Sequence, residues 1–176
     1  NNQTFMTVLQ SDSDIKSQYK DLHDFVQKSA GNNVTIMIDA ERLDTQPAID
    51  CIALGLMEKF NLEKRVVIQN TYQMYEKNAL VRMKAHYECA RANKFNFGAK
   101  VVRGAYLSLD RNLKVSEHYG PLNSSIDETH QQYNKVIRLV FSEWMHVQKI
   151  ITDITLATHN KTSLELAGQL SSTAIN

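Results

Sequence analysis

Short apolar runs open near residues 33, 65 and 97, about 32 residues apart, and a fourth opens near 153. Each is followed by a segment with helical periodicity. "NVTIMID" (33–39), "RVVIQN" (65–70), "FGAKVVRG" (97–104) and "DITLATHN" (153–160) are short and rich in β-branched residues, as covered strands are. The intervening stripes predict helices: Ile15, Tyr19, Leu22 and Val26 over 13–29, started by Asp12 or Ser13; Ile49, Ile52, Leu56 and Phe60 over 46–60, with Pro47 in the first turn; Leu80, Met83, Tyr87 and Ala90 over 76–93. Ser125 and Glu128 have capping-box spacing for a helix to about residue 147, with Ile126, Tyr133, Ile137, Val140 and Trp144 as its stripe. Thr162 and Glu165 repeat that spacing for a last helix to about residue 171. Residues 107–123 read as an irregular connection.

Strands alternating with helices require right-handed crossovers and a parallel sheet. Two α/β architectures satisfy this: a doubly wound sheet and part of a (β/α)8 TIM-type barrel. No strand leads into GxGxxG, the dinucleotide-binding fingerprint. Every strand instead runs out into chemically capable residues: Asp39 and Glu41; Asn70, Tyr72 and Gln73; Arg103 and Tyr106; Thr158, His159 and Asn160. A barrel gathers all its strand ends at one mouth, which favours the barrel. A complete barrel needs about 250 residues, and the 176 here with four strands are about half of one. Residues 1–33 read as an arm and a helix, and 34–176 as four βα units of a single domain.

Charge narrows the function. Twenty basic and nineteen acidic residues are interspersed and leave a net charge of +1, so no overall field draws the chain to nucleic acid. No apolar run reaches the ~20 residues of a membrane span. The opening "NNQTFMTVLQSDSD" has neither a signal-peptide nor an Arg-rich transit pattern. Cys51 and Cys89 lie within predicted helices with no CxxC or Cys/His spacing, so they read as reduced packing thiols and no metal is expected.

The third strand poses the chemical question, because it carries two cations. Alternation puts Lys100, Val102 and Gly104 on one face and Val101 with Arg103 on the other. A lysine turned into a barrel demands an anion, from Asp39 or a ligand; otherwise it snorkels to solvent. Arg103 precedes Gly104 and Ala105, small residues that let a ligand approach, and could hold a phosphate or carboxylate; taken alone it reads first as a surface ion pair. Asp39 and Glu41 share a face, although Asp39 could simply bind the next loop. His159 is either a site residue or a turn group. His23, His86, His118, His130 and His146 read as structural or solvated, without partners.

Taken in order, "IDAE" (38–41), "QPAID" (46–50), "NTYQMYEKN" (70–78), "GAKVVRGAYL" (98–107) and "ATHN" (157–160) resemble the proline dehydrogenase family, in its eukaryotic mitochondrial form. The resemblance runs from about residue 34 to 165. It implies a flavin-dependent (β/α)8 barrel that oxidises L-proline to Δ1-pyrroline-5-carboxylate, with FAD as cofactor, hydride passing to flavin N5 and a quinone as electron acceptor. It also implies a mitochondrial location and allows association with the inner membrane or with further copies. By position, Lys100 matches the basic residue beside the flavin ring, and Asn70, Val102, Arg103, Ala105 and His159 match cofactor contacts. Asp39 matches a carboxylate of the proline pocket and Tyr106 a substrate-side aromatic. Lys100, Asp39 and Tyr106 are therefore the expected catalytic residues. The family's Tyr-x-x-Arg-Arg-x-x-Glu helix, which grips the proline carboxylate, has no counterpart in this sequence. Three other readings remain: a hydroxyproline dehydrogenase of the same family, a barrel lyase or aldolase with a Schiff base on Lys100, and an inactive half-barrel whose open edges associate.

Overall fold

In the computed structural model, which describes residues 13–62, 64–111, 121–146 and 149–174, strands and helices alternate as follows. α1 (Ser13–Gly31) leads into β1 (Ile36–Ile38), α2 (Gln46–Phe60), β2 (Ile68–Gln73), α3 (Ala79–Asn93) and β3 (Phe97–Val102). A one-turn helix α4 (Leu107–Asp110), the long α5 (Ile126–Ser142), a 3-10 turn (Trp144–His146), β4 (Thr152–Leu156) and α6 (Lys161–Ala174) complete the described chain. The sheet is parallel and its order is β1-β2-β3-β4. A doubly wound sheet must reverse strand order at a switch point. Sequential order is the wall of a barrel, as expected.

Strand boundaries moved for identifiable reasons. β1 begins at Ile36 because Asn33 adopts a left-handed conformation (φ 59°) in the turn that ends α1, where the Val34 amide bonds back to the Ser29 carbonyl at 2.9 Å. β2 begins three residues late because the side-chain oxygen of buried Asn61 takes the Val67 and Ile68 amides at 2.8 and 2.7 Å. It then runs on to Gln73, paired through Thr71, Tyr72 and Gln73 with Lys100, Val101 and Val102. Asn70 is thus a mid-strand residue. α5 ends at Ser142, five residues before the expected end, and Trp144 stands on the 3-10 turn.

One face of the sheet packs on the helices. Ile68, Tyr72, Phe97, Ala99 and Val101 are buried there with Met83, Tyr87, Tyr133 and Ile137. Trp144 stacks on Tyr87 at 4.0 Å, and Phe97 meets both rings edge-on. The α3 stripe is as expected at Met83, Tyr87 and Ala90. Two stripes differ. α2 turns Gln46, Asp50, Ala53, Leu56 and Met57 inward, so polar groups occupy positions where an apolar face was expected. Ile126 is 62% exposed. Capping is mixed: Ser125 accepts from the Glu128 amide at 3.1 Å as predicted, but α6 is capped by Asn160, which accepts from the Ser163 amide at 3.0 Å, rather than by Thr162. Both cysteines are free and half-buried. Asp12 and His118 lie outside the described residues.

Gly98 of β3 has no room for a side chain beside β2. A Cβ there would lie 2.2 Å from the Ile68 carbonyl oxygen and 2.6 Å from Val66 Cγ1. A backbone oxygen cannot swing aside, so Gly98→Ala forces the strands apart. We expect a loss of about 1–3 kcal/mol or more, read as a lower urea midpoint.

His86 on α3 makes the fold acid-sensitive. His86 shares a 2.8 Å hydrogen bond between its Nδ1 and the Tyr72 hydroxyl. Burial holds its imidazole below the ordinary value; Asp50 pulls the other way and Arg82 reinforces the shift. The unfolded chain then takes up the proton first, so stability rises with pH. His86 contributes fully above about 6.5, the ordinary histidine value, and its contribution is lost as pH falls through the lower folded value. The urea midpoint should decline as pH falls from about 6.5 to that lower value, and His86→Gln should flatten the decline.

Candidate active site at the strand exits

The face away from the helices carries the chemistry. Alternation puts Met37 and Asp39 of the β1 segment on it, then Gln69, Thr71 and Gln73 of β2, Lys100 and Val102 of β3, and Thr155 and Ala157 at β4. At the C-terminal end this face opens into a cleft of about 400 Å³, within the range of small-molecule sites. Asp39, Glu41, Thr71, Gln73, Lys100, Val102, Arg103, Ala105 and Tyr106 contribute to its lining.

The lysine that should not be in a strand is explained. Lys100 Nζ lies 2.7 Å from Asp39 Oδ1 across the face of β2. Its side chain is 23% exposed and that of Asp39 71%. This is a partly solvated pair, worth at most about 1 kcal/mol to the fold. The cation is held in place, and little stability depends on it. Facing it, the Glu41 carboxylate holds the Tyr106 phenol above its ordinary value.

Arg103 stands on the opposite side of β3, with its backbone at the cleft and its side chain among the helices. Nε donates to His130 Nδ1 at 2.8 Å, and the two terminal nitrogens donate to Thr158 Oγ1 at 2.5 Å and Ser163 Oγ at 2.9 Å. Its guanidinium lies 4.3 Å from the Tyr133 ring centre. Among the described residues the expected surface ion pair does not form; partners from α5, α6 and the β4 exit hold the cation instead. His130 accordingly has a partner, contrary to expectation, as do His86 and His23, the latter with Nδ1 3.5 Å from Asp24 Oδ1. Burial pushes the Tyr133 phenol up to about 12, against the pull of Arg103.

The other expected residues divide. Val102, Ala105 and Tyr106 line the cleft beside Lys100 and Asp39. His159 is exposed in the β4–α6 loop at the same end of the sheet. Asn70 is on the wrong face for a ligand: it is fully buried, and its amide donates to Asp50 on α2 at 2.8 Å. Thr71 and Gln73 occupy the cleft positions that Asn70 was expected to take. The clue was present in Ile68 and Tyr72, whose parity Asn70 shares. Gly104 does adopt a conformation that suits glycine (φ 144°), but the Tyr75 ring fills the space a Cβ would take, at 2.3 Å. Its smallness therefore admits Tyr75, where ligand approach was expected.

Behind the site lies a buried ionic network. Arg82 bridges Asp50 at 2.9 Å and Glu76 at 2.6 Å, and Gln46 donates to Asp50 at 2.9 Å. Asp110 accepts from the Tyr75 hydroxyl and, at 3.2 Å, from the Leu43 amide. The Tyr75 phenol is raised by burial and then by Asp110.

A sequential parallel sheet with a paired cation and polar groups at its strand exits defines an α/β-barrel protein with its site at the C-terminal mouth. The family model described as Proline dehydrogenase matches residues 2–175. The chain is 35% identical over 142 residues to mitochondrial proline dehydrogenase 1 of Homo sapiens, covering 80% of this chain and 23% of that protein. It is 29% identical over 149 residues to hydroxyproline dehydrogenase of Bos taurus, covering 83% and 32%. Proline utilization A of Bdellovibrio bacteriovorus superposes with a TM-score of 0.70 at 16% identity, over 90% of this chain and 16% of that one. The chain belongs to the proline dehydrogenase family, and it spans about a quarter to a third of the curated relatives named here.

Proposed function

We propose that this chain forms the Lys100 side of the active site of a mitochondrial, FAD-dependent proline dehydrogenase. The observation that carries the reading is Lys100, fixed by Asp39 at the mouth of a polar cleft, within a chain that matches the family along nearly its whole length. A flavin fits this lining: the Lys100 cation faces the cleft beside an aliphatic surface at Val102 and Ala105, while the Thr71 hydroxyl and the Gln73 amide beneath them are committed to backbone groups. The bound flavin would supply the two-electron acceptor for hydride leaving the proline ring, which becomes Δ1-pyrroline-5-carboxylate, with the electrons passing on to quinone.

The chain's own residues have separable tasks. Lys100 holds positive charge where negative charge would build on the acceptor, stabilisation that counts most in the transition state. Asp39 anchors that ammonium and is exposed enough to meet the amino group of a substrate as well. Val102, Ala105 and Tyr106 offer surface to the ring, and Glu41 fixes the Tyr106 phenol. Similarity to a hydroxyproline dehydrogenase makes the hydroxylated amino acid the second reading. Dye-coupled turnover with L-proline and with 4-hydroxy-L-proline decides between them. Faster reduction with L-proline is expected; a clear preference for the hydroxylated substrate favours the second reading, and turnover of neither overturns both.

A further inference from the structure

We propose that Gln73 is a positioning residue: its buried side-chain amide ties the exit of β1 to the exit of β3 and so sets where Glu41 and Tyr106 stand around the mouth. Gln73 ends β2 on the cleft face and is 2% exposed. Nε2 donates to the Glu41 carbonyl at 2.8 Å, and Oε1 accepts from the Ala105 amide at 3.0 Å. β1 and β3 are not neighbours; β2 lies between them. One side chain therefore spans two strand exits that the sheet's own ladder leaves unconnected.

The geometry admits one arrangement. Reversing the amide would set oxygen against the Glu41 carbonyl and N–H against the Ala105 N–H, losing both bonds. Glu41 is gripped from the other side as well, since its amide donates to Gln46 Oε1 at 3.3 Å. Tyr106 follows Ala105 directly, and the Glu41 carboxylate raises its phenol. Gln73 thus holds the backbone of both groups along the rim. With Gln73 absent, the Glu41 carbonyl and the Ala105 amide would turn to water, and the carboxylate and phenol would lose both of their supports from β2.

This inference rests on reading the mouth as the active site, but its test requires neither flavin nor substrate, so the two can fail separately. Gln73→Met keeps the length of the side chain and removes its donor and acceptor. In this variant the Ala105 amide should exchange at least about fivefold faster, the equivalent of one lost hydrogen bond. The Tyr106 phenol, followed by carbon-13 NMR and assigned with Tyr106→Phe, should titrate lower than in the unaltered chain. Protection of the β2–β3 ladder should persist. An unchanged Ala105 amide and an unchanged Tyr106 titration would overturn the proposal, as would a uniform loss of protection, which makes Gln73 only structural. If the methionine variant does not fold, Gln73→Leu removes the donor and the acceptor with a smaller side chain, and the Ala105 amide should again exchange faster. A wild-type Ala105 amide there, or failure of both variants to fold, overturns it too.

Discussion

Arg82→Met is expected to lower stability by about 3–5 kcal/mol. Arg82 is the cation between two carboxylates, Asp50 and Glu76, whose side chains are 3% and 0% exposed. Methionine fills the volume and leaves both carboxylates desolvated without their cation, and that penalty exceeds the modest net worth of an intact buried pair. Total stabilities of about 5–15 kcal/mol make this a severe defect. Denaturant unfolding measures it, and adding Asp50→Asn to Arg82→Met should recover part of the loss. Additive losses in the double variant would mean that Asp50 and Arg82 do not act as a pair. The effect should also reach the site, because Asp50 holds Gln46 and Gln46 holds the Glu41 amide.

Lys100→Met should show the reverse: a small change in stability and a large one in rate. The pair with Asp39 is partly solvated, so its loss costs at most about 1 kcal/mol. In the proposed reaction Lys100 faces the developing anion, and removing such a charge should cost about 10²–10³-fold in rate. Rapid-mixing measurement of flavin reduction by proline, together with a urea melt of the same variant, separates the two. A variant that melts early and reduces its flavin at the normal rate would make Lys100 a stability residue. Borohydride trapping of a carbonyl substrate on Lys100 would instead favour the lyase reading.

Architecture was largely legible in the sequence because it depends on periodicity. Four apolar runs separated by helical stripes leave little choice beyond a parallel sheet, and the polar strand exits pointed to a barrel wall. Lys100 with Asp39 was legible for the same reason: a cation inside a strand needs an anion, and few were placed to reach it. Misreadings arose where side-chain bonding overrode pattern. Asn61 displaced the start of β2 by occupying its first amides, which carried Asn70 from a strand end to mid-strand. Gln46 and Asp50 look like solvent-facing helix residues until Arg82 and Asn70, distant in sequence, are seen to meet Asp50. Arg103 looked like a surface cation because its partners come from α5, α6 and the β4 exit, 27 to 60 residues away.

The visible spectrum of the purified protein before and after anaerobic addition of L-proline is the most direct test of a flavin site at these strand exits. The protein should be yellow, and its flavin band should bleach on addition of L-proline. A colourless protein that takes up no added flavin, or a flavin band that proline leaves unchanged, would contradict it.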